Sequence, residues 1–188
     1  MTSGFPLLDQ AHDALRTVTA GASDLLATTP CDLWNVTQVI QHAAGDQIAY
    51  ASFLTGGPGP DFDPFNPDGN LAVPAAEMIE DAVSRSAAAF ASIDPEAAEV
   101  PTPIPPNKMP ARQAAAAAAM DAAVHAWDIA KATGQPSPLT DELAAALLPT
   151  AKALVEPLRA WGAFAPAVPG TPADSPAADL LHYLGRRP

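Results

Sequence analysis

A single cysteine, Cys31, stands in the 188 residues. An internal disulfide and a multi-cysteine zinc site are therefore excluded. Basic residues are scarce as well. Lys and Arg number 9 against 21 Asp and Glu, which leaves a net charge of -12 and a pI of about 4.4. Such a chain repels a phosphate backbone, and no basic stripe offsets the repulsion, so neither nucleic acid nor an anionic membrane is an expected partner. Long apolar runs are missing: the longest are alanine-rich and interrupted by polar residues, so no transmembrane helix is expected. The opening MTSGFPLLDQAHDALR lacks a basic segment followed by an apolar one, so no signal peptide is expected and the chain reads as cytoplasmic. Ser-His-Asp order, phosphate-binding glycine loops and nucleotide fingerprints are absent too. Alternating β-branched stretches hardly occur, which leaves helices as the main element.

What the chain has in quantity is proline, 22 residues, and the prolines punctuate it. Residues 55–70, 94–110 and 163–176 read as loops, because their Pro and Gly content cannot hold a helix. Between them lie segments of helical period. The first is expected over 6–27, where Leu8, Ala11, Leu15, Val18, Ala22 and Leu25 recur at three- and four-residue spacing. A second follows Trp34, with Asn35 as N-cap, Gln38 at capping-box spacing and Trp34 with Val39 as a hydrophobic staple. It runs to Leu54 and stops at Gly56 and Gly57. The third starts at Pro74, with Ile79, Val83, Phe90 and Ile93 as its inward stripe. The fourth, ARQAAAAAAMDAAVHAWDIAKATGQP, has high helix propensity throughout and stops at Gly134. A fifth is expected from Thr140 to Val155, bent at Pro149. A short last helix is capped by Ser175 and stopped by Gly185. The fold class is all-α: an antiparallel four-helix bundle over 1–135, with a C-terminal helical extension over 136–188 packed on it as one unit.

The chemistry concentrates on two of these helices. Asp121 and His125 are four residues apart, so they stack on one face of the fourth helix and can converge on one atom. Asp128 lies on the same face. Alone, Asp-x-x-x-His is equally the exposed pair of a solvated face, and His42 alone is equally a satisfied core histidine. Together, two histidines and a carboxylate make a three-ligand set with positions left open, as in catalytic zinc sites or non-haem iron sites. Asp128 is then the partner that holds a ligand ring through its free N–H. The set closes only if helices two and four are neighbours. His12 and His182 are weaker candidates. Cys31 precedes a helix N-terminus, which favours a thiolate, but Asp32 beside it opposes that and leaves a small structural residue as the simpler reading.

TPCDLWNVTQVIQHAAGD and MDAAVHAWDIAKATGQP together resemble the DinB-like metal-binding family of the mycothiol-dependent maleylpyruvate isomerase N-terminal type. The resemblance extends to the closing DLLHYLGRRP, so it covers nearly the whole chain. It implies a four-helix bundle in which His42, Asp121 and His125 hold a divalent metal, zinc in the first place and nickel or iron as alternatives. It also implies a low-molecular-weight thiol such as mycothiol as cosubstrate, activated as thiolate for isomerisation or S-transfer on a small electrophile. The expected partners are that thiol or another small molecule, and the expected state is monomer or homodimer. The alternative is a non-catalytic metal-binding bundle or a small-molecule-binding module. The chain departs from the isomerase in carrying Asp121 where a glutamate is usual. Its closing segment has Ala178-Asp179 where Asp-Arg is common, which removes a candidate anion-binding arginine.

Overall fold

In a computed structural model, described here for residues 2–31, 33–160, 162–169 and 175–188, the chain forms six helices and one minimal hairpin. They are α1 (Pro6–Ala20), α2 (Val36–Thr55), α3 (Ala75–Ala91), β1 (Val100–Pro101), β2 (Lys108–Met109), α4 (Ala111–Ala132), α5 (Asp141–Arg159) and α6 (Pro176–Tyr183). The all-α expectation holds, and the hairpin adds two antiparallel residue pairs inside the second proline loop. Among the described residues no helix is long and apolar enough to cross a membrane.

The helix starts follow the capping chemistry in the sequence. At α2 the Asn35 side chain accepts from the Gln38 amide at 3.0 Å, while the Gln38 side chain accepts from the Asn35 amide at 3.1 Å. Thr140 and Ser175 cap α5 and α6 by the same kind of bond. Two bounds differ from expectation. α5 continues past Pro149 and Pro157 to Arg159. α1 ends at Ala20, although the apolar period continues to Leu25. The reason lies in the start of α2, whose first amides have no intrahelical partner. The carbonyls of Ala27 and Leu25 accept from Val36 and Thr37 at 3.1 and 2.9 Å. With α1 ended at Ala20, the segment that follows folds back so that these carbonyls reach the start of α2. Trp34, expected to staple against Val39, lies tilted beside His42 with ring centroids 4.7 Å apart.

Cross-helix contacts define the arrangement. α1 packs on α3 and α4, and α2 packs on α3 and α4. Along α2 and α4, His42 meets His125 and Gln47 meets Ala118, so these two run antiparallel. Along α2 and α3, Gln47 meets Ser86 and Tyr50 meets Phe90, so these run parallel. α1 is antiparallel to α3, through Phe5–Phe90 and Arg16–Glu80. The bundle is thus up-down-down-up, which corrects the expected uniformly antiparallel neighbours. The connection of residues 56–74 makes this possible. A helix of 20 residues is about 30 Å long, and an extended chain gains about 3.3 Å per residue, so this loop can return along the whole bundle instead of turning at its end. α5 covers α4, and α6 packs on α5. With α1, α2 and α5 around it, α4 is buried on nearly every face, which its alanine-rich sequence allows, and His125 and Asp128 are buried along with it.

One buried polar layer ties the four helices. His12 Nε2 donates to Gln47 Oε1 at 2.8 Å, Ser86 Oγ donates to the same oxygen at 2.9 Å, and Gln47 Nε2 donates to the Ala118 carbonyl at 3.0 Å. Gln47→Leu strands these groups, at a cost of about 1–3 kcal/mol for each left without a partner. Denaturant titration of that variant is expected to show the loss. A second outcome concerns pH. Burial lowers the His12 pKa below its ordinary 6.5, against the opposing bond to Gln47. The unfolded chain then takes up a proton that the folded chain refuses, so His12 lowers stability as pH falls below about 6.5. Replacing His12 by Gln should flatten that limb of the stability–pH curve; an unchanged limb assigns it to other groups.

Candidate metal centre

The end of the bundle that holds the start of α2 and the end of α4 collects several chain segments. His42 stands in the second turn of α2, and Asp121, His125 and Asp128 share one face of α4. One ligand atom from each of His42, Asp121 and His125 can be chosen so that all lie within 4.8 Å of one another. His125 Nε2 is 3.4 Å and His42 Nε2 is 3.6 Å from Asp121 Oδ1. These separations suit donors around one small dication, since tetrahedral bonds of about 2.1 Å place donor atoms about 3.4 Å apart. The adjacency of α2 and α4 that the three-residue set needs is therefore present.

The far nitrogen of each ring is tied. His42 Nδ1 lies 2.7 Å from the carbonyl of Pro64, which can only accept, so Nδ1 carries the proton. His125 Nδ1 is 3.0 Å from Asp128 Oδ2 and donates to it in the same way. With Nδ1 committed, each ring turns its Nε2 toward Asp121 Oδ1. Asp121 Oδ2 is buried and has no hydrogen-bond partner. Buried carboxylate oxygens rarely go unpaired, and a carboxylate with Oδ1 facing two imidazole nitrogens and Oδ2 unpaired fits a cation. The donor set, two imidazoles and a carboxylate, is one that zinc, nickel and iron all accept.

Without a metal the same groups share protons. Burial disfavours a charged His125, but the Asp121 and Asp128 carboxylates outweigh it and push its pKa up to about 10. Burial raises Asp121, but the two histidines outweigh that and hold it well below the usual carboxylate range. His42 is raised too: burial opposes its charge, and Asp121 and Asp46 more than compensate.

Asp128 was expected as the ring-orienting partner of His125, and it is fully buried beside it. Its countercharge is a residue the sequence reading did not single out. Arg186, next to the C-terminus, donates from Nε to Asp128 Oδ1 at 2.9 Å and from an Nη to Oδ2 at 2.7 Å. So the arginine missing at 179 does not leave the closing segment without one. The same guanidinium lies 3.6 Å from Cys31 Sγ. Cys31, His125 and Asp128 form a second group of converging donors, but there Arg186 already neutralises the carboxylate. His12 lies in the polar layer of the bundle, and His182 is on α6, outside both groups. Asp32 and residues 170–174 lie outside the described residues.

Asp46 is the other missed residue. It sits four residues after His42 in HAAGD, the mirror of DAAVH on α4. Its Oδ2 is 4.0 Å from His42 Nε2. Burial, and then the Asp121 charge, raise its pKa to about 7. The i,i+4 signal was present in the sequence, on the same face as His42. The loop of residues 56–74 closes this side. A side chain at Gly45 would run into Pro64 and Phe62 at under 3 Å, so glycine is what lets the loop lie against α2. That contact brings the Pro64 carbonyl to His42 and sets the Phe65 ring 5.9 Å from it.

An all-α bundle with paired histidine and carboxylate donors on facing helices defines a DinB-like protein. The chain belongs to the mycothiol maleylpyruvate isomerase N-terminal domain family, whose model matches residues 8–130, a family associated with metal binding and mycothiol. Similar proteins include two uncharacterized proteins of Mycobacterium tuberculosis, one from strain CDC 1551 / Oshkosh and one from strain ATCC 25618 / H37Rv. Each is 32% identical over 181 residues, covering 94% of both chains. No solved structure matches.

Loading the metal-free protein with a divalent cation near pH 7.5 should release at least one proton per ion, since His125, and His42 where it is charged, must give up a proton to bind. A pH-indicator dye in weak buffer reads this. In the metal-free protein the raised His125 pKa contributes stability that is complete below about 6.5 and is lost as pH climbs toward 10. A melting temperature that rises across that range in the absence of metal would contradict the assignment.

Proposed function

We propose that His42, Asp121 and His125 hold a divalent metal, zinc in the first place, and that the site serves a thiol-dependent isomerase or S-transferase of small electrophiles. The observation that carries the reading is Asp121, whose Oδ1 faces two imidazoles with their Nδ1 atoms tied off and whose buried Oδ2 has no hydrogen-bond partner. Bound there, a metal supplies a positive charge that favours the thiolate form of a sulfur ligand such as mycothiol.

The chain's own residues do the rest. Pro64 and Asp128 fix the ring orientations. Asp46 is placed beside the ligands, with its Oδ2 able to take the proton an arriving thiol gives up. Trp34 and Phe65 flank the His42 ring, and Leu33 next to Trp34 is 90% exposed. These give an apolar rim against which a small organic substrate can lie. Family membership supports the thiol; the rim supports a substrate with an apolar part.

Elemental analysis of protein purified without chelators tests the metal. His42→Ala and Asp121→Ala should each lower affinity by about 100-fold or more, since even changes one shell further out typically cost 10–100-fold. Calorimetry with mycothiol then tests the thiol. Binding that needs the metal and weakens in Asp46→Asn supports the enzyme. Metal-loaded protein that ignores thiols and electrophiles, yet melts higher than the metal-free form, makes the metal a staple between α2 and α4 instead.

A further inference from the structure

The family match ends at residue 130, yet one buried contact of the site comes from residue 186. We infer that the C-terminal tail completes the metal centre, with Arg186 as the residue that positions His125 through Asp128. This deepens the metal reading and rests on it.

The geometry is specific. The Asp128 side chain is wholly buried and that of Arg186 is 9% exposed. Both Asp128 oxygens are engaged by the guanidinium, at 2.9 and 2.7 Å, in a forked arrangement that only arginine can make. Oδ2 also accepts the His125 Nδ1 proton at 3.0 Å. Without the fork, the bond to His125 Nδ1 alone would set the orientation of Asp128. Held by Arg186, it is an oriented anion that fixes the His125 ring plane and aims Nε2 at Asp121.

The tail is itself held down. The Arg186 amide donates to the Leu181 carbonyl at 2.8 Å, following the turn at Gly185 (φ +85°) that ends α6. Leu180, Leu181 and Leu184 are buried in the core. An Nη of Arg186 reaches Cys31 Sγ as well, so the tail also touches the segment leading into α2. One side chain thus bridges the α1–α2 connection, α4 and the C-terminus. Whatever orders the metal ligands also favours the docked tail, and by reciprocity docking of the tail raises metal affinity.

The test compares wild type with Arg186→Lys, which keeps a charge and loses the fork, and with the Asp128→Asn/Arg186→Met pair, which removes both charges and avoids a lone buried ion. Two readouts are taken. Zinc affinity is measured by competition with a chromophoric chelator, and the hydrogen-bonded His125 Nδ1 proton is followed by NMR in the metal-free protein. We expect both variants to keep their helical circular dichroism, to bind zinc 10- to 100-fold more weakly, and to lose protection of the Nδ1 proton. Metal binding should also slow amide exchange of residues 181–186 in wild type but not in the variants. Wild-type affinity together with a protected Nδ1 proton in Arg186→Lys overturns the inference. If wild type takes up no metal, the metal reading fails by itself, and loss of the Nδ1 proton in the variants still decides the role of Arg186.

Discussion

Asp121 is the constraint on which the rest of the site depends. A carboxylate in the interior of a helical bundle is costly unless its charge is met. Here it is met by the edges of two imidazoles, one carried by its own helix and one by the facing helix. That requirement fixes the register of α2 against α4. Five residues on from His42, Gln47 reads the Ala118 carbonyl, three residues before Asp121. The polar layer and the donor cluster therefore set the same register at two neighbouring levels, and the up-down-down-up order supplies the antiparallel neighbours both need.

The loops explain why a bundle of small side chains surrounds so much polar chemistry. Residues 56–74 lie back along α2 because Gly45 leaves room for them, and in doing so they deliver a carbonyl to the outer nitrogen of His42. The connection after α1 performs a comparable service at the N-terminus of α2, where the Leu25 and Ala27 carbonyls accept from the first amides of that helix. On the far side the C-terminal tail delivers a guanidinium to Asp128. Each histidine ends with Nδ1 committed to a fixed partner and Nε2 facing Asp121, the orientation in which Nε2 can give up its proton and act as a ligand.

The family extends over residues 8–130, and its association with metal and mycothiol agrees with the donor set. Its range covers the three central donors and the residue that orients His125. It does not cover the arginine that holds that residue in place. The part of the chain beyond the helical bundle is therefore tied to the chemistry of the site as well as to the core.

How much of this could be read in advance follows from the range of the forces involved. Local rules were legible: the Asn35–Gln38 capping box, the alanine-rich α4, the Ser175 cap, and the i,i+4 spacing that sets Asp121 beside His125. The grouping of His42 with them came from the donor types and from the resemblance of the two motifs to a metal-binding family, since no local rule links residues eighty positions apart. Asp46 was legible by the same spacing and went unnoticed, because HAAGD looks like ordinary helix until burial and the facing Asp121 raise the pKa of Asp46. Arg186, the Pro64 carbonyl and the closeness of Gly45 to its loop had no local signature at all. The sequence by itself determined which segments are helices and which side chains share a face, because hydrogen-bonded periodicity is a short-range property. Only the tertiary structure decided which faces meet, which nitrogen of each histidine is free, and that the last residues of the chain close the site, because those depend on packing and charge between segments far apart in the chain.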